Sequence, residues 1–451
     1  MFKMLTIEGY KKLINHLKSS PIILWAIPSD EFLHPCATDI SIVFIKDIND
    51  KNIYCLSFNH SDASLTIDKK TFVDDLNNLD GIKWVFDKKS FIQLLPFTKD
   101  LLDINLFNHL QKGKLIDKQY FETQAHKFIY QTKKNCGDLN KVVPLLKHKE
   151  MFEKMCDKSI LLDINLIDEG YRKENEIVIE TLSELESNGI YVNANCFGKH
   201  FNAKIQPNGL VYSQYNVYTS TGRPSNHFDG VNYAALSKDS GVRKCFISRY
   251  GNDGMMILID YSAFHPRIIC NIVNFPMGAN EDIYKYLGEI YFNRKITEYD
   301  LEEIKRITMR QLYGGVEEKY EHIKYFRSLK EFIDDNWKCF RENGYVTTPI
   351  FRRMITTDHL KDANPAKLFN YILQATETEI ALTAINCVNK YLRDKKTKAI
   401  LYTYDSLLFD FYKADGTVVL NDIINIMMMC NRFPIKVYKG ESYDSVIQIY
   451  P

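Results

Sequence analysis

The sequence predicts a multidomain chain, α/β in its first third and α+β beyond. Three observations carry this. Strand-like and helix-like segments alternate across residues 1–165, the pattern of a sheet with flanking helices. The stretch MMILIDYSAFHPRIICNIV, Met255–Val273, reads as a buried strand that ends in Asp260 and runs at once into an amphipathic helix. Ser262 is the expected N-cap of that helix, and Pro266 falls early enough in it that its missing N–H costs little. Far downstream, AILYTYDSLLFDF, Ala399–Phe411, sets Asp405 between two apolar segments, as at the turn of a β-hairpin.

At 451 residues the chain has room for two or three domains. With 45% hydrophobic and 25% charged residues it has an ordinary globular composition. No stretch approaches the roughly 20 apolar residues of a membrane span, and the N-terminus lacks the apolar core of a signal peptide. Ten cysteines are scattered without CxxC spacing or His/Cys clustering, which predicts free, mostly buried thiols, a reducing compartment and no structural zinc. The net charge of +1 does not announce a nucleic-acid binder, though it leaves room for a local basic groove.

In chain order, a helix is expected over Ile7–Leu17. Strands follow at PIILWAI, DISIVFI and NIYCLSF, then a helix at Lys69–Leu79 and a strand at Gly81–Phe86. This order resembles the ribonuclease H-like 3′–5′ exonuclease domain attached to many polymerases. That family holds metal with Asp-x-Glu on its first strand; here the matching positions read Ala26-Ile27-Pro28, and a later family aspartate falls near Phe91. Asp103 and Asp157 are isolated. The resemblance therefore implies, for residues 1–165, an exonuclease-like scaffold without exonuclease activity.

From Tyr171 the pattern changes to an amphipathic helix closed by Gly189. A carboxylate at the end of a buried strand is costly unless it meets a cation or a hydrogen-bond network. Alone, Asp260 is as well explained by helix capping. Two strand-end aspartates from distant parts of a chain, however, are what a two-metal phosphoryl-transfer site needs, with its ions roughly 3.5–4 Å apart. The surrounding motifs give the pair its meaning.

TSTGRPS, residues 219–225, resembles the TGR segment of the family A, or DNA polymerase I type, DNA polymerases. The resemblance puts Arg223 near the primer terminus and the reacting phosphates. DYSAFHPR, from Asp260, is similar to the family's DYSQIELR, with Arg267 retained and the Glu that crowds the sugar 2′ position replaced by His265. EDIYKYLGEIYF, residues 281–292, resembles a segment in which Tyr284 takes the place of a phosphate-contacting His. KRITMRQLYGG, Lys305–Gly315, resembles the nucleotide-binding fingers helix. Its Lys305, Met309 and Tyr313 recur every fourth residue and so share a face. The resemblance assigns them to the triphosphate, the incoming base and the templating position, with Leu301 where the family has an Arg.

GYVTTPIFRRMI, residues 344–355, resembles a hairpin that offers Arg352 and Arg353 to the template or fingers backbone. FNYILQATETEIALTAINCV, residues 369–388, resembles the helix whose polar residues, here Asn370 and Gln374, read the minor groove of primer–template. YTYDSLLFDF keeps Asp405, with Tyr404 and Ser406 where the family has His and Glu, and KVYKGESYD resembles its closing segment.

The resemblance thus implies a right-hand polymerase domain over residues 166–451. Its palm, at 175–273 and 366–451, is built on an antiparallel sheet, and its helical fingers occupy 274–365. The thumb, which the family inserts between the positions of Gly189 and Thr219, is missing or vestigial. It implies dNTP addition to a primer 3′-OH, with two Mg²⁺ (Mn²⁺ also possible) on Asp260, Asp405 and the Tyr261 backbone carbonyl. Lys305, Tyr313, Met309, His265, Tyr284 and Arg223 face the dNTP; Arg223, Asn370, Gln374, Tyr404, Arg352 and Arg353 face the DNA. A processivity or replisome partner, or the N-terminal domain, takes over the thumb's role, and the implied place of action is the cytoplasm of a phage-infected host. Two rivals stay open: a polymerase with relaxed sugar choice, motivated by His265, and a catalytically inactive replisome component, motivated by the lost thumb, the degenerate exonuclease site, Leu301 and Ser406.

Overall fold

The computed structural model describes residues 2–30, 33–62, 67–96, 99–113, 115, 145–159, 167–226, 231–237, 240–278 and 281–450. They divide into two units, Met1–Asn175 with Gln206–Asn208, and Glu176–Ile205 with Gly209–Pro451. The boundary expected at 165/166 touches residues outside those described.

In the first unit the apolar runs become the strands β1 (Phe2–Met4), β2 (Ile22–Pro28), β3 (Ile40–Asp47), β4 (Ile53–Ser57), β5 (Lys83–Val85) and β6 (Leu101–Asp103). They form one six-stranded sheet in the order β1-β4-β3-β2-β5-β6. β3 is antiparallel to β2 and β4, while β1–β4, β2–β5 and β5–β6 are parallel. β3 and β4 read as near-continuous apolar runs because almost every position is buried. The helices Ile7–His16 and Lys69–Asn77, capped by the side chains of Thr6 and Asp68, lay Leu13, Phe72 and Leu76 on the core that includes Leu24, Val43 and Leu56.

Asp103 is not the solvated acid expected from its isolation. It is buried; its carboxylate caps the helix Ile104–Lys112 through the Leu106 N–H at 2.7 Å and accepts the Lys88 N–H at 2.7 Å.

The second unit opens with a helix, Ile179–Asn188, ended at Gly189 with φ +58°, where a side chain would be strained and would press on Leu210. From there to Thr219 the chain makes only β7 (Ile190–Tyr191), a helix at Ala194–His200, β8 (Leu210–Val211) and β9 (Tyr215–Asn216). No long helix lies between Gly189 and Thr219. β7 pairs with β8, and β9 with β10 (Ser225–Asn226).

The main sheet holds β11 (Gly254–Tyr261), β14 (Lys398–Thr403), β15 (Ser406–Tyr412), β16 (Ile435–Gly440) and β17 (Ile447–Tyr450), ordered β14-β15-β11-β16-β17 and antiparallel throughout. β14 and β15 are the expected hairpin. β12 (Tyr345–Thr347) and β13 (Met354–Thr356) form a second one. Helices Leu301–Gly314 and Lys324–Asn343 lie between β11 and β12 in sequence. The 27-residue helix Pro365–Tyr391, capped by Asn364, is buried along most of its middle, where the run Thr376–Glu379 sits among apolar residues.

Two expectations are corrected. The helix after β11 is Phe264–Ile272, and its N-cap position is Ala263 at φ +51° with no side-chain cap, so Ser262 does not cap it. The cysteines are not all free: Cys196 and Cys245 form a disulfide, with Cα atoms 5.2 Å apart. They are 49 residues apart in the chain, so spacing could not reveal the pair. The other described cysteines are free thiols, but three of them, Cys339, Cys387 and Cys430, are exposed, and Cys196 and Cys245 lie together with His200, so the expectation of mostly buried thiols without His/Cys clustering is corrected as well.

One buried ion pair ties the sheet to its entry. Asp410 on β15, fully buried, accepts Ser248 Oγ at 2.6 Å and Arg249 Nε at 2.7 Å, and Arg249 Nη2 donates to the carbonyls of Asn188 and Gly189. Removing one partner leaves a buried charge uncompensated. Asp410→Ala is expected to lower stability by about 3–5 kcal/mol, read as a shift in the urea unfolding midpoint.

Candidate active site

The two strand-end aspartates meet through strand register. Asp260, the penultimate residue of β11, pairs with Ser406 on one side and Lys436 on the other. The next residue, Tyr261, donates its N–H to the Asp405 carbonyl at 2.9 Å, which pins the Tyr404–Asp405 turn to the end of β11. The turn needs Tyr404 in the left-handed region, at φ +62°. The Tyr261 ring points into the core, stacks on Phe264 at 4.1 Å and gives its hydroxyl to the Met427 carbonyl, so only its main chain serves the site.

The Asp405 carboxyl is held above the usual carboxylate range, first by the crowding that strips water from it and then by the charge of Glu377; Arg223 and His265 pull the other way. A carboxylate in that state gains from a cation. The donors at these strand ends are hard oxygens, which fit Mg²⁺ or Mn²⁺.

Beside the aspartates lies a charge cluster that the sequence did not announce. Glu377, buried on the long helix, is its centre. Arg223 Nη2 donates to Glu377 Oε1 at 3.1 Å and Arg223 Nε stands 3.0 Å from Oε2. His265 Nε2 stands 3.2 Å from the same Oε2. His265 Nδ1 shares a hydrogen bond with the Tyr313 hydroxyl, which burial pushes up to about 12. The Arg223 guanidinium also lies 3.7 Å over the Tyr404 ring, a cation–π contact. Arg223, His265, Tyr313, Tyr404 and Glu377 thus form one contiguous group drawn from five chain segments. The only signal for Glu377 was TETE at 376–379 inside an apolar helix, since buried acids are rare unless paired.

The helix Leu301–Gly314 buries Ile304, Thr308 and Leu312 and leaves Lys305 exposed and Tyr313 about 37% exposed on the neighbouring face, with Met309 half-buried. Lys305 Nζ sits 5.7 Å from the centre of the buried Tyr284 ring. Asn370 donates Nδ2 to the Tyr313 carbonyl at 3.2 Å, fastening the end of this helix to the long helix. Gln374, one turn on, is half-buried.

The paired arginines part company. Arg352 is exposed, at φ +66°. Arg353 is 1% exposed, so the expectation that it contacts template or fingers backbone is corrected. The left-handed backbone at Arg352, in the turn between β12 and β13, separates the two side chains, and Arg353 faces in. Its Nη2 donates to the Thr219 carbonyl at 2.9 Å, and its guanidinium fills the space where a Cβ on Gly222 would lie 3.1 Å away. The Gly of TGR, at φ +73°, is therefore required twice over. Glu379 fastens the same hairpin by accepting from Thr348 Oγ1 at 2.5 Å and the Phe351 N–H at 3.1 Å. Arg353→Met removes one of the two donors on the Thr219 carbonyl, which keeps the Gly222 N–H at 3.1 Å, and is expected to cost about 0.5–1.5 kcal/mol, the net worth of one hydrogen bond, measured by thermal unfolding.

No family model matches the chain. Among curated proteins it is similar to the DNA polymerase of Bacillus phage SP01, 22% identical over 281 residues, 52% of this chain and 30% of that protein. It is also similar to DNA polymerase I of Caldicellulosiruptor bescii, 23% identical over 284 residues, 53% of this chain and 33% of that protein. The chain spans about a third of the length of these relatives. Among solved structures it shares the fold of the POL domain of Pol1 from M. smegmatis in complex with DNA primer-template and dNTP. The TM-score is 0.71 at 15% identity, covering 98% of this chain and 99% of that one.

Proposed function

We propose that this chain, a relative of the DNA polymerase I type (family A) DNA polymerases, extends a primer on a DNA template, joining the α-phosphate of a dNTP to the primer 3′-OH with release of pyrophosphate. The observation that carries the reading is the convergence of Asp260 and Asp405 at neighbouring strand ends beside Arg223. Asp260, Asp405 and the Tyr261 carbonyl would hold two Mg²⁺ (or Mn²⁺) ions, which supply activation of the attacking hydroxyl and neutralisation of the leaving group.

The remaining residues bind and orient. Lys305, exposed beside Tyr284, offers its charge to the triphosphate, and Arg223 offers its own between the aspartates and the long helix. Met309 packs on the incoming base. The contact of His265 with Tyr313 forms a wall beside the sugar. Asn370 and Gln374 stand one turn apart for the minor groove, Tyr404 faces the primer end, and Arg352 is exposed to a phosphate backbone.

Within this reading residues 175–273 and 366–451 act as palm and 274–365 as fingers. Residues 1–165 are an exonuclease-like scaffold without nuclease activity: the sheet order supports the scaffold, while Ala26 and Pro28 on β2 and the capping use of Asp103 argue against a metal pair. The short segment between Gly189 and Thr219 leaves fewer phosphate contacts, so binding is weak and salt-sensitive without a processivity partner. The phage relative supports action in a host cytoplasm.

Two outcomes are expected. In primer extension with Mg²⁺ and dNTPs, Asp260→Asn and Asp405→Asn each abolish synthesis, while fluorescence anisotropy shows DNA affinity within about threefold of the parent, a change under 1 kcal/mol. Synthesis retained in either variant refutes the assignment. Lys305→Ala raises the KM for dNTP about tenfold or more, the loss of a charge-assisted contact worth about 1.5–3 kcal/mol. No extension by the parent chain under low salt would favour the inactive replisome component, and equal use of rNTPs would favour relaxed sugar choice.

A further inference from the structure

We propose that Cys196, His200 and Cys245 form a zinc site whenever their two thiols are reduced, so that this corner of the second unit is closed either by the disulfide or by a metal ion. The proposal stands apart from the polymerase reading and uses none of its residues.

The three side chains converge from two segments. Cys196 and His200 are four residues apart on the helix Ala194–His200 and share a face. Cys245 ends the short helical turn Val242–Cys245. One ligand atom from each lies within 4.8 Å of the other two. Among the described residues, this is the group of histidine, cysteine or acidic side chains placed to hold an ion in this way. Tetrahedral zinc, with Zn–S about 2.3 Å and Zn–N about 2.0–2.1 Å, separates its ligand atoms by roughly 3.4–3.8 Å, so small side-chain rotations suffice.

The frame beneath the ligands is built independently of the sulfur–sulfur bond. Asn193 caps the helix by accepting the Cys196 N–H at 3.0 Å, and its own N–H donates to the Cys245 carbonyl at 2.8 Å. Phe197 packs on Phe201 and Phe246, the residues that follow His200 and Cys245, with ring centres 4.7 and 6.1 Å away. Reduction therefore leaves the two thiols facing each other. Two thiolates and an imidazole are a soft donor set that selects Zn²⁺ over Mg²⁺. Cys245 is buried and His200 exposed, so the ion sits at the edge of the core with its fourth position open to water.

The chemistry balances in two steps. A thiol reductant opens the disulfide, giving two cysteine thiols and the oxidised reductant. Zn²⁺ then replaces the two thiol protons, which are released to solvent. A diazene oxidant such as diamide takes two electrons and two protons, the two thiolates re-form the S–S bond, and Zn²⁺ is released to solvent.

The test uses the full chain, purified under a thiol reductant without oxygen, loaded with Zn²⁺, dialysed, and assayed by elemental analysis. One zinc per chain is expected, lost on diamide oxidation and reduced at least about tenfold in affinity in His200→Ala, since altering even a partner behind a ligand costs about 10–100-fold. Co²⁺ in place of Zn²⁺ should give the visible bands of a tetrahedral thiolate site, absent from Cys196→Ser. His200 is exposed, so its variant folds even if a cysteine variant does not. Zinc-free reduced protein, zinc unchanged in His200→Ala, or equal zinc in the oxidised protein would each overturn the proposal.

Discussion

The backbone hydrogen bond from Tyr261 to Asp405 governs the second unit more than any side-chain contact. It closes the ladder between β11 and β15 at the end where Asp260 is the penultimate residue of β11 and Asp405 immediately precedes β15. A slip of one residue in that ladder would turn Asp260 to the opposite face, because side chains alternate along a strand. The apolar residues Met256, Ile257 and Ile259, facing Asp410, Phe409 and Leu407, resist such a slip, since it would also expose part of the core. The placement of the two acids is therefore a by-product of core packing, with strand register as the link between burial and chemistry.

Bringing carboxylates together in a partly desolvated place is unfavourable without positive charge, and the surrounding cluster answers that constraint. Glu377 adds a third negative charge near Asp405, yet it also draws Arg223 and His265 inward. The same residue that raises the Asp405 carboxyl also holds the Arg223 guanidinium, which lowers it. Arg353 and Glu379 act one layer further out, on the loop and hairpin that carry Arg223 and Arg352, so the cluster rests on buried polar bonds rather than on apolar packing alone.

Much of this was legible in the sequence because local pattern and function coincide. β11, the β14–β15 hairpin and the helix bearing Lys305 were visible as apolar periodicity, and Asp260, Asp405 and Arg223 as punctuation within ordered motifs. What was hidden depends on partners distant in sequence. Arg352 and Arg353 look alike until the hairpin turns one of them inward. Glu377 looks like a misplaced charge until Arg223, 154 residues earlier, reaches it. Cys196 and Cys245 looked unrelated for the same reason.

Asp103 and Asp260 show how finely the outcome depends on where a helix begins. Each ends, or nearly ends, a strand buried in a sheet, and each is followed by an amphipathic helix. At Asp103 the helix starts on the next residue, so the carboxylate becomes its N-cap and is saturated by two backbone N–H groups. At Asp260 the strand runs one residue further, and the helix starts only at Phe264 behind an N-cap position with no side-chain bond. The offset removes Asp260 from the capping role and carries the chain past the Asp405 turn before it enters the helix. A strand-end aspartate thus does or does not cap the following helix according to a delay of three residues, and the left-handed Ala263 lies within that delay.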